Sequence, residues 1–129
     1  MSELKKSQIN FNILLDKENI PEHIDWLATD AGMDSSKPCK AIMISLWDED
    51  ENNALRMDLW TKKMMVEEMN MFYFQTLMTM ADSYITATGN KELADELKHF
   101  GNHFAEKTEI FKNIADPHAG HNHGPEHKH

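Results

Sequence analysis

The chain has 129 residues, with 22 Asp plus Glu against 13 Lys plus Arg and a formal net charge of −9 when its eight His are neutral. That length supports one domain with a core of its own and excludes a large multi-domain catalyst. The acidic excess leaves no basic stripe to neutralise phosphates, so neither nucleic acid nor an anionic lipid surface is an expected partner.

No stretch approaches the roughly 18 to 20 apolar residues of a membrane span, and the start, MSELKKSQINF, has no apolar run behind its two Lys that could act as an export signal. The expectation is a soluble, non-exported, cytoplasmic protein without membrane insertion. The single cysteine, Cys39, cannot form an internal disulfide, in keeping with a reducing compartment.

Residues 1–6 read as a polar lead-in, residues 7–113 as a single α+β domain, and residues 114–129 as a His-rich tail with too little apolar matter to bury, hence expected to be disordered. Within the domain, Ile9, Phe11, Ile13 and Leu15 alternate with Gln8, Asn10 and Asn12, which predicts a half-buried strand. After the break at Pro21, Ile24, Trp26 and Ala28 alternate with His23 and Asp25 and predict a second, weaker strand. Gly32 to Pro38 reads as a loop.

The runs Ala41–Trp47 and Ala54–Trp60 flank an acidic stretch, Asp48 to Glu51, followed by Asn52 and Asn53. Pairing Leu46 with Leu55, Ile44 with Met57 and Ile42 with Leu59 places every large aliphatic on one face, which predicts an antiparallel hairpin in that register with the acidic run at its tip. The opposite face carries Met43, Trp47 and Trp60 beside Ser45, Arg56 and Asp58. A solvated sheet face is usually more polar than that, so a partner surface is expected to cover part of it.

From Val66 the period becomes helical. Val66, Met69, Tyr73, Leu77, Met80, Ala81 and Tyr84 share one stripe, Met71, Phe74, Met78 and Ile85 widen it, and Gly89 supplies a stop. Asn90 is a good N-cap for a second helix, presenting Leu93, Leu97, Phe100, Phe104 and Phe111 on one face as far as Asn113. The expected fold is therefore α+β, a four-stranded, largely antiparallel sheet followed by two C-terminal α-helices.

Seven stretches, in order, also resemble a known family. They are WLATDAG at Trp26–Gly32, CKAIMISLWD at Cys39–Asp48, LRMDLWTK at Leu55–Lys62, MVEEM at Met65–Met69, FYFQTLMTMAD at Phe72–Asp82, ATG at Ala87–Gly89 and FGNHFAEK at Phe100–Lys107. The chain is similar in them to the gliding-motility GldC family of Bacteroidota. The resemblance implies a small component without a lipid anchor, associated with the machinery that moves cells over surfaces, and it implies no enzymatic activity and no catalytic residues. It does not reach the His-rich end.

The clearest chemical signal is that end. His118, His121, His123, His127 and His129, with Glu126, offer imidazoles at two-, three- and four-residue spacings, a set that Zn²⁺, Ni²⁺ or Cu²⁺ accepts loosely. Glu96, His99 and His103 share a helix face, but the first helix supplies no matching ligand set of the kind a di-metal bundle uses, so a solvated flank is the expectation. Asp48–Glu51 lacks the alternating spacing and turn glycine of a Ca²⁺ loop. Cys39 has no second Cys and no evident His–Asn constellation, and the chain has neither a nucleophile-elbow pattern nor a Gly-rich phosphate cradle.

These readings favour a non-enzymatic interaction or assembly component, without a required cofactor, over a catalyst. Seven of the ten Met lie between Met57 and Met80, where adaptable side chains serve cores and binding surfaces alike. Met69 and Met80 are expected to fill the core. Met43, Trp47, Trp60, Met71, Phe74 and Met78 are the expected partner-binding residues, facing a protein of the gliding machinery or a second copy of the chain. An acidic chaperone or secretion adaptor, superficially like SecB-type export chaperones in element order, is the alternative, and metal binding through the tail is the third reading.

Overall fold

The alternating stretch that opens the chain is a strand, β1 (Ile9–Leu15), in the computed structural model, which describes residues 3–115. The chain divides between Met64 and Met65 into two units. The first holds β1 with β2 (Pro21–Ala28), β3 (Lys37–Cys39), β4 (Ala41–Asp48) and β5 (Asn53–Trp60). The second holds α1 (Val66–Thr88), α2 (Lys91–Thr108) and a short α3 (Ile110–Ala115).

In the first unit β1 and β2 form an antiparallel hairpin that pairs Ile9 with Ala28, Phe11 with Trp26 and Ile13 with Ile24. Its turn is built by Asp16. The carboxylate Oδ1 accepts the backbone N–H of Glu18 at 2.8 Å and of Ile20 at 3.1 Å, while Asn19 takes a left-handed φ of 64°. Pro21, read as a break, is the first residue of β2, a position where its missing N–H disturbs no ladder.

The expected single four-stranded sheet is corrected to a three-stranded sheet, β1-β2-β3, and a two-stranded sheet, β4-β5. The cause is a bend at Lys40, which sets an additional short strand, β3, apart from β4, the third expected strand, so that β3 joins β2 while β4 pairs with β5. Residues assigned to the loop, Lys37 and Pro38, instead pair with β2 (Trp26↔Lys37, Asp25↔Pro38, Ile24↔Cys39). Beyond the bend, Ala41 onward pairs with β5. One backbone bond spans the break: the Thr61 N–H donates to the Lys40 carbonyl at 2.8 Å. A three-residue Lys-Pro-Cys segment shows no alternation, so period-two reasoning could not find it.

The β4–β5 register is the expected one, with Ile42↔Leu59, Ile44↔Met57 and Leu46↔Leu55. Burial in this unit centres on Ile24 and Ile42.

In the second unit Gly89 ends α1 at φ 74°, donating its N–H to the Ile85 carbonyl at 2.8 Å. The Asn90 Oδ1 then accepts the Leu93 N–H at 3.1 Å and starts α2. The expected run to Asn113 is interrupted at Glu109, which is left-handed (φ 57°) and separates α2 from α3, so that the buried Ile110 begins a new turn. Lys98 Nζ and Asp82 Oδ1, 2.9 Å apart, tie α2 to α1.

The buried face of α2 differs from the expected one. Ala94, Gly101 and Ala105 are buried, whereas Leu93 and Phe100 are 45% and 51% exposed. Gly101 lies directly against Met78 and Leu77, so the small residues of α2 accommodate the large ones of α1. Volume complementarity, not hydropathy alone, selected the contact face.

Candidate protein-interaction surface

Because side chains alternate along a strand, the antiparallel register puts Met43, Ser45, Trp47, Ala54, Arg56, Asp58 and Trp60 on one face of the β4–β5 hairpin. Trp47 pairs with Ala54 next to the turn, and Trp60 pairs with Ala41 at the other end. The two indoles therefore share a face but not a patch. At about 3.3 Å per residue their ladder positions are roughly 20 Å apart. Between them lie Met43, half-buried, and an ion pair in which the Arg56 Nη2 donates to Asp58 Oδ1 at 2.7 Å.

Trp47 is 68% exposed and Trp60 53%. Small cross-strand partners explain this, since alanine opposite each indole offers little to cover it. Near the turn the opposite face is open as well: Leu46 is 59%, Leu55 50% and Met57 51% exposed, although all three belong to the aliphatic stripe expected to be buried. Apolar side chains thus emerge on both faces of the hairpin end. Their sequence signal was their closeness to the acidic run, because a cross-strand pair beside a solvated turn has neighbours on one side only.

The acidic run is the hairpin turn. Asp48 Oδ2 accepts the Glu51 N–H at 2.7 Å and the Asp50 N–H at 3.1 Å, and its carbonyl accepts the Asn52 N–H at 3.1 Å. This network occupies the first carboxylate and leaves Glu49, Asp50 and Glu51 as exposed charge beside Trp47.

The helical members of the expected partner-binding set are placed differently. Phe74 meets Phe111 edge-on, with ring centroids 5.2 Å apart, and Met78 packs against Gly101, so both are engaged within their own unit. Met71 is half-buried. Of the two residues expected to fill the core, Met69 is half-buried but Met80 is 49% exposed, and Tyr73 on the same stripe is 43% exposed. Tyr73 stacks on Phe104 with centroids 6.5 Å apart, and Tyr84, Leu93, Leu97 and Phe100 line a shallow depression across α1 and α2 together with Glu96.

Glu96, His99 and His103 line an open depression on α2 with Glu92, Asp95 and Phe100. Among the described residues no three His, Cys, Asp or Glu side chains are arranged to hold a metal ion. His118, His121, His123, His127 and His129 lie outside the described residues. Cys39 is half-buried, and burial pushes its thiol above the ordinary 9.0, which holds it protonated at neutral pH. It shares a recess with His23, Lys63 and the buried Thr61, whose hydroxyl has no hydrogen-bond partner among the described residues.

Among the described residues no helix is long and apolar enough to cross a membrane. A family model described as gliding motility-associated protein GldC-like matches residues 21–110, from the first residue of β2 to the first of α3. No curated protein and no solved structure matches the chain.

Proposed function

Since the chain belongs to the GldC-like family of gliding motility-associated proteins, we propose that it is a non-enzymatic assembly component of gliding, acting in the cytoplasm by docking the β4–β5 hairpin onto a protein partner. The observation that carries this reading is the 68% exposed Trp47 at the hairpin end, flanked by the open Leu46 and Leu55. Large aromatics that are open in the unbound chain and fill a pocket in the complex dominate interface energetics. Burying them contributes about 25 cal/mol per Å² of apolar area before ordering costs.

Glu49, Asp50 and Glu51 define the complementary partner chemistry. An apolar pocket rimmed by Lys or Arg receives the indole and pairs with the acidic turn. The charges steer encounter and reject acidic surfaces, while the apolar side chains hold the complex. Trp60, at the other end of the same face, is a second anchor only for a partner long enough to span the hairpin.

The test is crosslinking in cells that carry the protein, from a photoreactive side chain at Ser45, beside Trp47. The expected result is an adduct that Trp47→Ala abolishes together with surface movement, while the purified variant keeps the wild-type unfolding midpoint. Wild-type gliding and an unchanged adduct in the Trp47→Ala, Trp60→Ala double variant would reject the reading.

A further inference from the structure

Among the described residues β1 pairs with β2 alone, so its other side is a sheet edge. The Thr29 N–H donates to the Gln8 carbonyl at 3.0 Å, which fixes the parity of the β1–β2 ladder. Gln8, Asn10, Asn12 and Leu14 turn their backbone groups to β2, and Ile9, Phe11 and Ile13 turn theirs to the open edge. Folded proteins blunt such an edge with Lys, Pro, a bulge or extreme shortness. Here the seven residues INFNILL contain no charge and no Pro, the one irregularity lies at the far end between Leu14 and Leu15, and Ile9, Leu14 and Leu15 are 64%, 59% and 52% exposed.

We propose that β1 is an assembly edge through which two copies of this chain pair, antiparallel, about a twofold axis at Asn12. The strand is self-complementary in that register. Phe11 faces Ile13 and Ile9 faces Leu15 of the second copy, so apolar side chains meet on one sheet face and the backbone groups turned to the edge meet each other. Centring on Ile13 instead sets Lys17 against Ile9, and centring on Phe11 leaves Leu15 against Ser7.

Charge selects the same partner and direction. A chain of net charge −9 repels a copy of itself over most of its surface, but β1 carries no charge to repel. Lys5 and Lys6 precede the strand; in the turn after it Asp16 is already paired with Lys62, and Glu18 follows Lys17. In the antiparallel register centred on Asn12, Lys6 of one copy stands opposite Glu18 of the other, whereas parallel pairing stacks like on like. The result is an isologous contact, the commonest symmetry of soluble oligomers. This edge is a different surface from the hairpin end that carries Trp47, and either contact can be lost without the other.

Light scattering on the full chain in the micromolar range is expected to give twice the 15.0 kDa of one chain, falling toward one chain on dilution. Asn12→Lys is expected to halve that mass. In the single chain the new Lys sits opposite Asp25, which already receives the Asn12 amide at 3.0 Å, but in the pair it faces a second Lys. Asn12→Cys in a Cys39→Ser background reports the register independently. Across a non-hydrogen-bonded antiparallel pair the Cα atoms lie about 4.5 Å apart, within disulfide reach. Mild oxidation is expected to link that variant into dimers and to leave Asn10→Cys in the same background unlinked. A wild-type mass of one chain throughout the range overturns the proposal, and so does a dimer that Asn12→Cys fails to link.

Discussion

Gly101 and Met78 face each other so closely across α1 and α2 that a Cβ at position 101 would stand 2.6 Å from the Met78 sulfur. This one contact explains why the buried line of α2 runs through Ala94, Gly101 and Ala105. Adding a methyl there gains about 1 kcal/mol of helix propensity and costs about 1–3 kcal/mol of overpacking. Gly101→Ala is therefore expected to lose about 1 kcal/mol net. In a Met78→Ala background the same change is expected to stabilise, because the methyl enters space the sulfur has left. Denaturant unfolding of the four chains of this cycle checks the reversal of sign. Equal effects in both backgrounds would show that the two residues are not coupled.

Asp16 gives the first unit its acid sensitivity. Lys62 Nζ lies 2.9 Å from Asp16 Oδ2, and together with the N–H groups of Ile20 and Glu18 it lowers the Asp16 carboxyl from 3.8 to about 2. A depressed carboxylate stabilises the fold fully above its unfolded value and loses that contribution as pH falls toward the folded one. The advantage of the wild type over Asp16→Asn is expected to be constant above about pH 4.5 and to shrink between roughly 3.8 and 2. In Lys62→Ala the Asp16 titration, followed by carboxyl NMR, is expected to move upward and yet stay below 3.8, since the two backbone donors remain. An Asp16 midpoint at 3.8 in the wild type would contradict the turn network.

The five tail histidines carry an expectation from composition alone. Imidazoles at these spacings bind Ni²⁺ or Zn²⁺ near neutral pH and release it as they protonate around a pKa of roughly 6.5. Calorimetry on the full chain against one ending at Ala115 measures this. The expected result is heat from the full chain only, fading below about pH 6; equal heats from both chains would place the binding elsewhere.

How much of this was legible in the sequence differs from element to element. The hairpin register was, because two alternating runs of similar length admit one pairing that keeps Ile42, Ile44 and Leu46 on the same face as Leu55, Met57 and Leu59. The α1–α2 junction was too, because Gly89 and Asn90 act through their own backbone and side chain. The candidate surface was legible in part. Trp47 and Trp60 are exposed on the predicted face, but Phe74 and Met78 are engaged by Phe111 and Gly101, and Leu46 and Leu55 were expected inside.

What the sequence determined by itself is local: strand alternation, turn chemistry at Asp16 and Asp48, and the caps of the helices, each dictated by neighbours a few residues away. The tertiary structure alone decided that Lys37–Cys39 joins β2 as a separate strand and the sheet divides after it, that α2 presents small residues to α1, and that the hairpin's apolar end stays open. These outcomes depend on which distant surface arrives and what volume it leaves. Hydrophobic periodicity marks a face as able to be buried, and only a partner of matching shape buries it.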